Sequence, residues 1–222
     1  MSKSFPKYMM VVDLETTGSD ESSPDAFVLE VGYSVVTMPS FDYVYGANHV
    51  VSPFPDYSTA QKYTGQLYTV KSEAMADAFF ELEEKIAPVV LDMHTKNGLW
   101  HSVQERYTPG IAEVDERIAN ALAEISGDKN GSREFVLGGS GVGHFDSRWI
   151  RKFMPRTAAH LTYYAIDVGV LRRFFRDICG VDVKSDPRGL SSGDAKTHRA
   201  DEDAWAHFEE MRVFKEWILD HQ

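Results

Sequence analysis

The chain has 222 residues, 43% hydrophobic and 12% aromatic, which is enough to bury a core and fits a single domain. Its formal charge of −11, from 23 Lys+Arg and 34 Asp+Glu, excludes a protein that coats long nucleic acid through a broad basic surface. The lone Cys179 excludes an internal disulfide or a four-thiolate zinc site and fits a reducing, cytoplasmic compartment, while Asp13 interrupts the apolar run Met9–Val12 before it could serve as a leader or membrane span.

Tyr8–Leu14 is an apolar, β-rich run that ends in charge, and a loop rich in Thr, Gly, Ser, Asp and Pro follows it through Asp25. Phe27–Thr37 and Tyr43–Ser52 are two further β-rich runs whose short separation suits an antiparallel meander. Apolar residues at helical spacing then predict amphipathic helices over Ser72–Ile86, ending near Pro88, and over Ile111–Ile125. Glu134–Leu137 and Leu161–Ile166 read as strands, each followed by a helix, Phe145–Phe153 and Val168–Ile178, and a last helix runs from about His198. That order predicts an α/β fold in which three antiparallel strands come first and parallel strands are added, with helices on both faces. No repeat or linker divides residues 1–222. Residues 53–72 and 182–197 read as long irregular stretches, the first an insertion within the domain, and Cys179 reads as a small core residue.

Asp13 and Glu15 stand two residues apart at the end of the first strand, so both leave the same face of the pleat. Gly138–Gly139–Ser140–Gly141–Val142–Gly143–His144–Phe145–Asp146 follows a strand and places Asp146 near a helix N-terminus. In Thr197–His198–Arg199–Ala200–Asp201–Glu202–Asp203, Thr197 is a candidate cap, His198 belongs to the entering loop and Asp203 faces inward beside Ala204 and Phe208. Asp201 and Glu202 complement the helix dipole. Each element alone has an ordinary structural explanation, a pair of solvated charges or a helix's acidic first turn. Grouped, carboxylates suit hard cations such as Mg²⁺ or Mn²⁺, two of which about 3.5–4 Å apart stabilise both oxygens of a phosphodiester displacement. A nearby histidine is suited to take a proton at neutral pH.

Taken together, Val12–Asp13–Leu14–Glu15–Thr16–Thr17–Gly18, Phe145–Asp146 and His198–x₄–Asp203 resemble the DEDDh group of 3′–5′ exonucleases, which has a ribonuclease H-like fold with a mixed five-stranded sheet. Within that group the chain is most similar to oligoribonucleases, through Val28–Gly32, Met93–Leu99, Lys152–Pro155, Tyr163–Val168 and Thr197–Asp203. The resemblance implies that Asp13 bridges two divalent cations, Mg²⁺ or Mn²⁺. Glu15 and Asp203 complete the tighter site, Asp146 holds the second ion, and His198 is the general base. It implies hydrolysis of short RNA or single-stranded nucleic acid to nucleoside 5′-monophosphates. Thr16, Thr17, His94, Tyr163 and Arg199 are implied on the substrate side, with Tyr163 offered to a neighbouring subunit of a homodimer.

The chain departs from oligoribonucleases where they wedge the substrate's bases, with Ser19 and about Val89 at those positions, and where they gather groups around a 5′ phosphate, with Val142, Tyr164 and Gly169. A longer single strand could then thread past the site, and Phe54, Tyr57, Tyr63 and Tyr68 either supply stacking surfaces or anchor a long loop to the core. Residues 148–199 hold 11 Lys+Arg and 5 Asp, a local excess of +6. Arg188, Lys196 and Arg199 lie nearest the expected base, whereas Arg172, Arg173 and Arg176 read as a solvated helix face. His49, His101, His160, His207 and His221 read as packing or solvated histidines. The alternatives are a DNA-directed exonuclease of the proofreading or repair kind and a non-catalytic nucleic-acid-binding module.

Overall fold

Strand β1 (Tyr8–Thr16) contains Met9, Met10, Val11 and Val12, none of them exposed to solvent. A strand apolar on both pleat faces has to be covered on both. The computed structural model, which describes residues 5–105, 107–128, 133–183 and 197–221, shows how this is done. β1 pairs antiparallel with β2 (Val28–Thr37), which pairs antiparallel with β3 (Tyr43–Val50). On its other side β1 pairs in parallel with β4 (Phe135–Gly139), and β4 with β5 (Leu161–Asp167). The resulting mixed sheet has the order β3-β2-β1-β4-β5.

The two faces of the pleat sort into two cores. Met10, Val12 and Leu14 of β1 join Val31, Tyr33 and Val35 of β2 under Val114, Ile118 and Leu122 of α5 (Ile111–Ser126) and Trp149 and Ile150 of α6 (Asp146–Phe153). Met9, Val11, Val36 and Val136 face the other way, against Phe208, Met211 and Phe214 of the final helix, Ala200–Asp220. Asp13 and Glu15 continue the second set by the two-residue period, and so are turned to the final helix.

A satellite core holds the segment expected to be an irregular insertion. Residues 57–64 are in fact a helix, α1 (Tyr57–Thr64), with Asp56 accepting from the Thr59 N–H as its cap at 2.9 Å and Gly65 in the left-handed conformation after it. Phe54 is buried there with Tyr57, Tyr63 and Tyr68 packed around it, so these aromatics anchor the segment. α2 (Lys71–Lys85) is followed by a helix not anticipated from the sequence, α3 (Pro88–Lys96), and by α4 (Leu99–Val103). Pro88 opens α3 at its first turn, where its missing N–H costs nothing, and does not merely end α2. α7 (Pro155–His160) leads into β5, and α8 (Val168–Arg173) passes into a π turn over Phe174–Ile178. Numbered in chain order, the final helix is α9. Cys179, expected in the core, is exposed. Among the described residues no helix is long and apolar enough to cross a membrane.

Candidate active site

The site lies where β1, the loop after β4 and the start of α9 meet, and the β1–β2 register explains the meeting. Asp13 pairs with Gly32 and Glu15 with Glu30. Gly32 leaves a gap that α9 enters: a Cβ there would stand 2.1 Å from the carbonyl carbon of Ala200 and 2.2 Å from the amide nitrogen of Asp201. Only glycine permits so close a backbone approach.

Glu30, fully buried, then fixes the incoming chain. Its carboxylate accepts from Arg199 Nη2 at 2.6 Å, from Arg199 Nε at 3.0 and 3.1 Å, and from the Ala200 N–H at 2.9 Å. Asn48 of β3 donates to it as well, at 2.8 Å. Glu30 therefore caps α9 from another strand, and the expected local cap, Thr197, does not. Arg199, expected to contact a substrate phosphate, is committed to this ion pair, and the pairing holds its guanidinium above its ordinary pKa.

Just before this anchor sits His198, whose backbone is left-handed at φ 53°. That region is uncommon for residues other than glycine and persists where surrounding contacts over-determine it. Here Asn97 donates from Nδ2 to the His198 carbonyl on one side and Arg199 is locked on the other. The imidazole thereby joins Glu15 and Asp203: one ligand atom from each lies within 4.8 Å of the others. Asp203 is buried with Ala204 and Phe208, while Asp201 and Glu202 face solvent.

Asp146 arrives from the glycine-rich loop as the first residue of α6 and is 4% exposed. Asp167, which the sequence did not single out, shapes that loop by accepting from the Gly141 N–H at 3.1 Å while also capping α8 through the Val170 N–H at 3.1 Å. Asp13, Glu15, Asp146, His198 and Asp203 all line one cleft of about 450 Å³. Its walls include Leu14, Thr16, Gly18, Ser19, Ala87, Val90, Met93, Ser140 and Phe145. The wall residues on α3 are Val90 and Met93, with Ala87 just before it, and Val89, taken from the sequence as the wedge position, points away with 76% exposure.

The substrate-side expectations divide. Thr16 lines the cleft, and its hydroxyl donates to the Gly18 carbonyl at 2.7 Å. Thr17 instead closes the base of the following loop, donating to the Asp25 carbonyl at 2.7 Å and accepting from the Phe27 N–H at 2.9 Å. His94 is entirely buried behind the acids: Nε2 lies 3.1 Å from the Thr16 carbonyl oxygen and Nδ1 3.9 Å from Glu15. Burial pushes this imidazole below its ordinary pKa despite the hydrogen bond to Thr16, so it stands behind Glu15 as a neutral ring. Tyr163 lies 81% exposed on β5 beside a separate cavity that also takes in Arg148, Arg151 and Tyr164. Val142 is buried.

Much of the basic excess is spent on pairs. Arg148 meets Glu21, Arg156 meets Glu116, and Arg172, expected on a solvated face, forms a two-point pair with the buried Glu210 of α9. Arg188 and Lys196 lie outside the described residues. His207, read from the sequence as a packing or solvated histidine, also touches an acid of this cleft. It is 5% exposed with Nε2 3.3 Å from Oδ1 of Asp13. Its position four residues after Asp203, hence on the same helix face, was the available signal.

No protein-family model matches the chain, and no curated protein matches it. Solved structures do. E. coli exonuclease I in complex with a dT13 oligonucleotide superposes with a TM-score of 0.53 at 13% identity, over 97% of this chain and 43% of that one. A moderately thermophilic exonuclease I from Methylocaldum szegediense gives 0.55 at 14%, over 94% of this chain and 40% of that one. A 3′-exonuclease described as recognising the 3′ end of a histone mRNA stem-loop gives 0.53 at 11%, over 96% and 84%. The chain thus has the ribonuclease H-like fold of 3′-exonucleases, matched over nearly its whole length. It spans about two-fifths of the exonuclease I chains.

Proposed function

We propose that the protein is a divalent-cation-dependent 3′–5′ exonuclease of the DEDDh type that releases nucleoside 5′-monophosphates from short RNA or other single-stranded nucleic acid. The observation that carries this is the convergence of Glu15, His198 and Asp203 within 4.8 Å in a cleft that Asp13 and Asp146 also line. The donor set fits hard cations, because it is mostly carboxylate oxygen. Asp13, Glu15, Asp146 and Asp203 would hold the ions. When bound, such ions supply charge stabilisation to the attacking and leaving oxygens of a phosphodiester. His198 takes the proton from the attacking water, a task suited to an imidazole that is partly open to the cleft.

The small side chain of Ser19 on the cleft wall favours a strand that runs through the site over one stopped in it. A DNA-directed reading draws support from the likeness to exonuclease I bound to DNA oligonucleotides. We place the protein in the cytoplasm on the strength of its single cysteine, and read Tyr163, exposed at the sheet's β5 edge, as a residue for a second copy of the chain.

The test is digestion of 5′-labelled RNA and DNA oligomers of 2 to 20 nucleotides with Mg²⁺ or Mn²⁺. Stepwise shortening from the 3′ end is expected, and Asp146→Asn should slow it by roughly a thousandfold, as loss of several kcal/mol of charge stabilisation implies. Undiminished digestion by Asp146→Asn, or in excess chelator, would overturn the assignment.

A further inference from the structure

The acids of β1 differ in what stands behind them. His94 gives its hydrogen bond to the Thr16 carbonyl and only approaches Glu15, at 3.9 Å. His207 faces a carboxylate directly, with Nε2 3.3 Å from Asp13 Oδ1. Both partners are nearly closed to water: the side chain of Asp13 is 14% exposed and that of His207 7%. The contact joins β1 to α9 one helical turn beyond Asp203, so a single helix brings one acid to the site and a donor to another acid.

We infer that His207 is a positioning residue for Asp13, an inference that rests on the proposed metal-dependent reading. An N–H on Nε2 donates to Oδ1, which restricts rotation of the carboxylate and would leave its other oxygen available to a cation. A carboxylate that would hold a cation gains from such restraint, because a rotating group must be ordered each time an ion binds. Outer hydrogen bonds to metal-ligating carboxylates typically govern about 10–100-fold in metal affinity or activity. His207 needs no charge for this role. It lies outside the group of ligand atoms contributed by Glu15, His198 and Asp203.

The experiment measures Mn²⁺ binding to the full chain by calorimetry without nucleic acid, for the parent, His207→Gln and His207→Leu. Oligonucleotide turnover against Mn²⁺ concentration and thermal unfolding in chelator run alongside. His207→Leu should bind Mn²⁺ about 10–100-fold more weakly, with the metal concentration for half-maximal turnover raised in parallel. His207→Gln, which keeps an N–H donor at that reach, should recover most of the affinity. If His207→Leu does not fold in chelator, His207→Phe, closer in volume, takes its place. Parent-like Mn²⁺ binding in the leucine or phenylalanine variant removes the positioning role while leaving the exonuclease reading intact. A glutamine variant as weak as the leucine one also overturns it, since the imidazole would then act by itself. A parent that binds no Mn²⁺ overturns the metal-dependent reading and this inference together.

Discussion

Gly32 on β2 and Ala200 at the start of α9 touch backbone to backbone, so that a methyl group at position 32 would stand 2.1 Å from the Ala200 carbonyl carbon. Neither side of the contact is a flexible side chain. Gly32→Ala should therefore lift the start of α9 off the sheet, destabilising the protein by about 3 kcal/mol, the upper end of ordinary overpacking costs. Because Asp203 and His198 flank that point, nuclease turnover should fall with it. Denaturant unfolding and a digestion assay measure the two, and an alanine variant with parental stability would contradict the packing.

Arg199 and Glu30 make a separate prediction. Glu30 is fully buried and Arg199 partly exposed. Arg199→Ala leaves a buried carboxylate without its main partner, at a cost of about 3 kcal/mol, the low end for breaking a buried pair because its guanidinium keeps contact with water. The melting temperature and kcat should drop together. A variant that keeps its melting temperature and only raises KM would instead make Arg199 a phosphate contact.

Cation binding should be visible without substrate. At a hundredfold excess over Kd, a ligand adds about 2.7 kcal/mol, which for a chain of this size raises Tm by roughly 5–10 °C. Mn²⁺ should do this for the parent and chelator should reverse it. Asp203→Asn should lose most of the shift, and scanning fluorimetry with and without Mn²⁺ reads both.

Three histidines make stability depend on pH. Burial pushes the half-buried His49 and the buried His94 and His160 below their ordinary values. For His160 the opposing pull of Asp128 is the smaller effect. The folded protein holds these rings neutral, whereas the unfolded chain takes up protons below about pH 6.5. Stability should therefore be fully present above that pH and decline as pH falls through it toward the lowered folded-state values. His160 lies away from the cleft, so His160→Leu should flatten the fall in Tm between about pH 7 and pH 5 without altering metal binding. A slope as steep as the parent's would remove His160 from the account.

The succession of antiparallel and then parallel strands was legible in the sequence, and so was the shared pleat face of Asp13 and Glu15, because both rest on short-range chemistry. The unbroken apolar run Met9–Val12 marks β1 as a strand covered on both sides, and the two-residue period of the pleat puts Asp13 and Glu15 on one face. Helical spacing likewise separated the buried Asp203 from the exposed Asp201 and Glu202. α1 and α3 were harder to see. α1 is only eight residues long and mostly polar, and the proline that opens α3 resembles one that closes α2.

What only the tertiary structure decided is which polar group each functional residue meets. Thr197 has the chemistry of a cap, but Glu30, 170 positions from Ala200, takes that role. Arg199 and Thr17, both expected on the substrate side, are held by partners on another strand and loop that their local sequence does not reveal. His94 and His207 are ordinary histidines until the fold sets one behind Glu15 and the other against Asp13. Local sequence sets periodicity and backbone preference, which act over a few residues. Hydrogen bonds and charge pairs between distant segments exist only once the sheet register and the docking of α9 have brought their atoms within about 3 Å of each other.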